Sequence, residues 1–241
     1  MKHRRSNKNP GYIHHQESGF IATIKEAVFG IEDGMVSTLG ALTGIAAATK
    51  DPGIVLLSGF VVIAVESISM GVGSYVSSKS EKEVVERMLY EESQEIDTFP
   101  KEEEGELYDM YVDDGWPKSL AKKMVTAAGK NKKLFLQEMA YRELKVIPEN
   151  GVEPIRNGVV MGSAYIVGGI VPLLPYTLVA VDVAITYSVI ITLFGLFLLG
   201  ALLTRYTKRF WLKAGFEMLV LAGVAAAVGY AVGQIMNSVV V

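Results

Sequence analysis

The chain has 241 residues, half of them hydrophobic and a fifth charged, with a formal net charge of −3 and no cysteine. So apolar a composition is unusual for a soluble domain of this length, and the lack of cysteine excludes both a disulfide framework and a thiolate metal site. The charges are unevenly placed, and the uncharged stretches between them are long enough to read as membrane spans of about 20 residues.

The opening MKHRRSNKNP is basic, and no apolar core with a small-residue cleavage site follows it. It reads as a retained cytoplasmic tail; His3, His14 and His15 fall in this region and read as solvated. Residues 12–27 place Phe20, Ile21 and Ile24 on one side, the pattern of an amphipathic helix lying in the inner headgroup layer. Residues 1–27 therefore form a first unit.

Spans one and two occupy residues 28–78. The first, Val28–Thr49, carries Glu32 and Asp33 near its start; the second, Gly53–Ser78, is uncharged except for Glu66, one helical turn before Met70. A carboxylate halfway along a span costs roughly 2.5–3.5 kcal/mol on insertion scales, so it ordinarily faces an ion path or a partner. Gly30, Gly34, Gly40 and Gly44 give small-residue spacing twice in the first span, repeated by Gly158 with Gly162 and Gly229 with Gly233. Such spacing lets helices approach closely in lipid, within one bundle or across a dimer.

Residues 79–153 are rich in charge and read as a soluble helical insertion. KSEKEVVERMLYEESQEID (79–97) continues directly from the second span with Val84, Val85, Met88 and Leu89 as an apolar stripe. Phe99-Pro100 and Gly115-Trp116-Pro117 are breaks, leaving further helices over 101–113, 119–128 and 132–145. The last unit, residues 154–241, holds spans three to five: Asn157–Val181, Val183–Thr204 and Met218–Val241. Pro172 and Pro175 near the end of the third span fit either a helix stop or a kinked pathway wall. Five Lys/Arg in residues 1–25 and four in 204–213, against Lys50 alone in the first external turn, put the N-terminus in the cytoplasm and the C-terminus outside.

Residues 81–114 hold 14 acids against three bases. A charge run is ordinarily a solvated face, but Glu92 with Glu95 and Glu103 with Glu106 stand three apart, each pair on one helix face where like charges repel. A shared cation would remove that cost. Met139 and Glu143, four apart, offer a thioether and a carboxylate; carboxylates suit Mg2+ or Ca2+, and a methionine sulfur shifts preference towards softer ions such as Fe2+.

DGMVSTLGALTG (Asp33–Gly44), SISMGVGSYVSSKSE (Ser67–Glu81) and GGIVPLLPY (Gly168–Tyr176) carry a resemblance to the vacuolar iron transporter family, covering about Phe29 to Met236. The resemblance implies an exporter of Fe2+ and Mn2+ whose five spans form a dimer. It also implies a metal-collecting domain in which Glu92, Glu95, Glu103, Glu106, Met139 and Glu143 bind the ion. Asp33 and Met70 match the family's membrane pathway. One departure is Ser74, where relatives commonly carry glutamate; Glu66, about 12 Å further along the helix by its rise, is the candidate replacement.

The expected fold is thus an all-α integral membrane protein: five transmembrane helices and a helical cytoplasmic metal-binding domain inserted between spans two and three. The expected activity is export of Fe2+, and also Mn2+, by H+ antiport through a dimer interface in a prokaryotic plasma membrane or an equivalent organelle membrane. No permanently bound cofactor and no nucleic-acid partner are expected; the partners are divalent metal ions, the lipid bilayer and a second copy. A passive channel or a membrane-tethered sensor remains the alternative. Paired glutamates also build ferroxidase centres, but those use Glu-x-x-His pairs and no histidine follows His15, so an enzyme is not expected.

Overall fold

The computed structural model describes residues 18–146 and 153–240, and every element among them is an α-helix. In order they are α1 (Ser18–Thr49), α2 (Pro52–Thr98), α3 (Pro100–Asp113), α4 (Lys118–Ala128), α5 (Lys132–Arg142), α6 (Pro154–Leu178), α7 (Val181–Thr207) and α8 (Trp211–Val240). α1 passes residue 28 without interruption, so the interfacial and membrane segments expected separately are one helix from Ser18 onward. Residues 12–17 of the expected interfacial helix lie outside the described residues.

Local chemistry sets the turns. Lys50 at φ 54° leaves the helical region after α1, and the Asp51 side chain accepts a 2.9 Å bond from the Ile54 amide to cap α2, with Pro52 in its first turn. α2 then runs for 47 residues, about 70 Å, and stops where Pro100 disfavours a helical conformation at Phe99. Gly115 at φ 93° ends the α3 segment, and Asn131 caps α5 by accepting from the Lys133 and Leu134 amides.

Four helices, α2, α6, α7 and α8, are long and apolar enough to cross a membrane, so the chain is an integral membrane protein. α1 is less apolar because it holds Lys25, Glu26, Glu32 and Asp33, yet it lies at the centre and packs against all four. Its Leu39, Leu42 and Ala46 are wholly enclosed. The repeated glycines are spent on contacts within the chain. A methyl group on Gly34 would strike the Tyr165 carbonyl of α6, and one on Gly233 would strike the backbone of Gly44. Gly158 and Gly162 similarly meet α2 at Gly71 and Ser67. The third apolar helix does not stop at its prolines: α6 continues through Pro172 and Pro175 to Leu178.

At the other end of α2, helices α3, α4 and α5 close around a separate core of Leu107, Tyr111, Ala121, Val125, Ala128, Phe135 and Met139, against which Ile96 of α2 packs. α5 ends at Arg142, a turn earlier than the sequence pattern suggests, so Glu143 is its C-cap. The expected stripe on α2 is only partly covered: Val85, Met88 and Leu89 are half-buried and Val84 is exposed.

Candidate transport pathway and metal site

Glu66, Met70 and Ser74 follow one another at four-residue intervals and so share a face of α2. In the single chain Glu66 is exposed, while Met70 and Ser74 are half-buried. Asp33 on α1 is half-buried and close enough to Glu66 for the two charges to act on each other; Tyr165 of α6 feels both. Ser37 fixes this corner. Its hydroxyl donates to the Asp33 carbonyl at 2.7 Å and shares a 2.5 Å hydrogen bond with the Tyr165 hydroxyl. Among the described residues no base pairs with Asp33 or Glu66.

Ser74 has a carboxylate beside it, from an unexpected source. Its hydroxyl donates to Glu26 at 2.8 Å. Glu26 lies two turns before Asp33 on α1, about 10 Å by helix rise, in the segment that the sequence assigns to the headgroup layer. It is a nearer candidate than Glu66 for the missing glutamate. The seven-residue interval from Glu26 to Asp33, which puts both acids on one side of a helix, was the available signal.

The second cluster forms where α2, α3 and the end of α5 meet. Each expected pair has one sunken and one exposed member: Glu92 and Glu103 are 2% and 7% exposed, whereas Glu95 and Glu106 face solvent with Glu143. Burial first, then the charge and hydrogen bond of Glu143, then the charges of Glu103 and Glu95, push the Glu92 carboxyl up to about 8. Burial likewise raises Glu103, helped by the charges of Glu106, Glu143 and Glu95 and opposed by its hydrogen bond with Glu92. Glu143 is raised by burial, with its bond to Glu92 acting the other way. Burial and the neighbouring carboxyls of Glu143, Glu103 and Glu95 thus favour the protonated form of Glu92. Even so, Oε1 of Glu92 and Oε2 of Glu103 are buried without a hydrogen-bond partner.

Other acids on α2 behave differently. Glu83, Glu86 and Glu91 each sit one turn from a base, in the pairs Lys79–Glu83, Lys82–Glu86 and Arg87–Glu91. A solvated face accounts for these. Among the described residues no base pairs with Glu92, Glu95, Glu103, Glu106 or Glu143, which leaves that group with an uncompensated negative charge. No three acids among the described residues converge in ready ligand geometry, so a bound ion would require the side chains to close inward. Met139 is wholly enclosed in the apolar core of this unit, where it packs as a core residue.

The two clusters do not meet. Both lie on α2, with Glu66 and Glu92 separated by about 39 Å of helix. Tyr111, Arg142, Glu138 and Asp114 form a further polar group beside the second cluster: Tyr111 donates to Glu138 at 2.9 Å and Arg142 lies 4.3 Å over the Tyr111 ring while bonding Asp114. That group braces α3 against α5.

The VIT family model matches residues 24–234 of the chain. The chain is 30% identical over 228 residues to Vacuolar iron transporter 1 of Arabidopsis thaliana, covering 93% of this chain and 91% of that one. It is 29% identical over 228 residues to Vacuolar iron transporter 2 of Oryza sativa subsp. japonica, covering 93% of each. To the vacuolar iron transporter of Toxoplasma gondii (strain ATCC 50861 / VEG) it is 31% identical over 227 residues, covering 90% of this chain and 75% of that one. The matched region includes both acidic clusters and Glu26.

Proposed function

Because this chain belongs to the VIT family, we propose that it exports divalent transition-metal ions, Fe2+ and also Mn2+, from the cytoplasm in exchange for protons. The supporting observation is the Asp33–Glu66 corner: two neighbouring acids without a base among the described residues, one of them exposed on the surface of the single chain within a helix apolar enough to span a membrane. Left facing lipid, Glu66 would be costly. A second copy packed on this face of α2 covers it and turns the two-fold axis into a polar path.

In this reading α1 is the first of five spans and the charged unit of α3, α4, α5 and the end of α2 is the cytoplasmic domain. The sequence's basic segments supply the sidedness, with the N-terminus inside and the C-terminus outside. Relatives are named vacuolar, so the route out of the cytoplasm leads across a plasma membrane or into an organelle. The ion is gathered by Glu92, Glu95, Glu103, Glu106 and Glu143, where it takes over the role of the proton on Glu92. It then passes Glu26 and Ser74 at the cytoplasmic mouth and reaches Met70, Asp33 and Glu66. A carboxylate holds a metal ion or a proton, not both at full strength, which makes exchange the natural coupling.

The test is uptake by proteoliposomes carrying an internal pH dye. Wild-type protein takes up Fe2+ with opposite proton movement. Asp33→Asn inserts and assembles normally but transports nothing; undiminished flux in that variant rules out the proposed path. Metal flux indifferent to an imposed pH gradient identifies a passive channel instead.

A further inference from the structure

Where α7 turns into α8, Arg205, Lys208, Arg209 and Lys213 come close together, and all four are exposed. Arg209 lies 3.9 Å from Glu217; among the described residues no acid pairs with Arg205, Lys208 or Lys213. Bases bordering the other apolar segments are matched by acids: Lys50 with Asp182, Lys79 with Glu83 and Arg156 with Glu153. Four cations on one turn repel each other, and Glu217 alone offsets little of that charge.

The turn is braced. Lys208 closes α7 at φ 55°, its amide donating to the Thr204 carbonyl at 2.9 Å. α7 and α8 then approach so closely that a methyl group on Gly200 would strike the Ala214 carbonyl, and one on Gly215 the Phe197 ring. Phe197 meets both Trp211 and Phe216 edge-on, with ring centres 6.0 Å apart in each pair. The bases are thus carried on a support fixed by packing, and their mutual repulsion is not relieved by the turn opening.

Each helix also presents an exposed apolar stripe that ends at one of these bases. On α7, Phe194, Leu198 and Leu202 are followed one turn later by Arg205; on α8, Lys213 is followed by Phe216, Val220 and Val224. Each stripe is about 16 Å long by helix rise, close to half of a hydrocarbon core of roughly 30 Å. Both helices are long and apolar enough to cross a membrane. Phe197, one turn from Phe194, touches Phe216, so the two stripes border the same seam. Phe210 and Trp211, exposed between the bases, are the residue types that sit at headgroup level.

We propose that the α7–α8 turn binds an anionic phospholipid from the leaflet at that end of the bundle. Its phosphate lies among Arg205, Lys208, Arg209 and Lys213, and its acyl chains lie along the two stripes. Charge selects the headgroup, because a zwitterionic lipid fits the stripes but brings no net negative charge to the bases. A free phosphate ion has the charge but leaves the stripes unused. None of the acids assigned to the metal path takes part, so this site stands or falls independently of the export reading.

The experiment is native mass spectrometry of the full chain in detergent, with phosphatidylglycerol or phosphatidylcholine added at equal concentration. Wild-type protein retains phosphatidylglycerol at collision energies that strip phosphatidylcholine. The double variant Arg205→Gln/Lys213→Gln loses that retention by roughly tenfold or more, the scale expected for two bases at a lipid surface. Arg205→Lys/Lys213→Arg keeps it, as does Lys118→Gln/Lys122→Gln, which removes the same charge from exposed positions on α4. Equal retention of the two lipids by wild-type protein overturns the proposal without recourse to any variant. So does unchanged retention in Arg205→Gln/Lys213→Gln, or an equal loss in the α4 variant, which would mean attraction by net charge alone. Displacement of phosphatidylglycerol by inorganic phosphate at equal concentration would identify a bare anion site and overturn the lipid assignment.

Discussion

Glu92 concentrates the electrostatics of the acidic cluster in one side chain. Its carboxyl ordinarily titrates near 4.5 and is pushed up to about 8 in the fold, mainly by burial, so the folded chain binds this proton more tightly than the unfolded one. Stability from this group is complete below the unfolded value and declines as pH rises from roughly 4.5 towards 8, at up to about 1.4 kcal/mol per pH unit. Metal-free protein in detergent should therefore melt lower at pH 8 than at pH 5, as read by scanning fluorimetry. Glu92→Gln should flatten the difference. Fe2+ should restore the melting temperature at pH 8, because an ion replaces the missing proton. Replacing Glu103 and Glu106 together by Gln should weaken Fe2+ binding, measured by calorimetric titration, more than it alters melting; unchanged binding would return these acids to the solvated-face reading. Spacing alone made the pairs visible in the sequence, because three-residue intervals on a helix fix a shared face. Spacing could not show which member of each pair sinks, since that depends on how α3 and α5 close over α2. Glu26 was hidden for the same reason: its contact with Ser74 joins two helices across 48 positions of chain.

At the level of elements, the helices were legible because charge and punctuation mark their ends: Asp51-Pro52, Phe99-Pro100 and Asn131 all sit at termini. The partners of each helix were not legible. Glycines four apart announce that some backbone comes near, not whose, and here the near backbones belong to α6, α8, α2 and α1 of the same chain. The pattern therefore does not bear on dimer formation. Gly34→Ala should lower stability by about 1–3 kcal/mol, the usual cost of forcing a methyl group into a packed contact, seen as a lower melting temperature. Gly105 in α3 has nothing within 4 Å of an added methyl, so Gly105→Ala should instead gain roughly 0.5–1 kcal/mol from reduced backbone freedom. Equal effects of the two substitutions would mean that α1 and α6 are not in close contact. The prolines of α6 show the limit of punctuation. Packing against α1 and α7 holds the helix together through both, and Ser188 donates to the carbonyl of Pro172 itself.

For the whole molecule, composition was enough to establish a membrane protein, and basic residues were enough to propose its sidedness. α1 is the exception to the apolar criterion, because Lys25, Glu26, Glu32 and Asp33 lie in it. The arrangement of copies is a proposal that the Cys-free sequence makes easy to test. Ser69 is exposed beside Met70, on the face proposed to meet a second copy, while Phe194 of α7 is 62% exposed elsewhere on the bundle. Oxidation of a Ser69→Cys variant in membranes should give a covalent dimer on non-reducing gels, and Phe194→Cys should not. The reverse outcome would move the pathway away from Asp33 and Glu66.

α2 also has a mechanical consequence. From Tyr75 to Thr98 it contains neither glycine nor proline, so nothing along that length acts as a hinge. Glu92 sits on a stiff lever arm about 33 Å from Met70. Under the proposed capture of an ion by the acids around Glu92, any lean they impose on the shaft is delivered to Met70 instead of being absorbed on the way. Loading at the far end and aperture at the membrane are then joined by one rod.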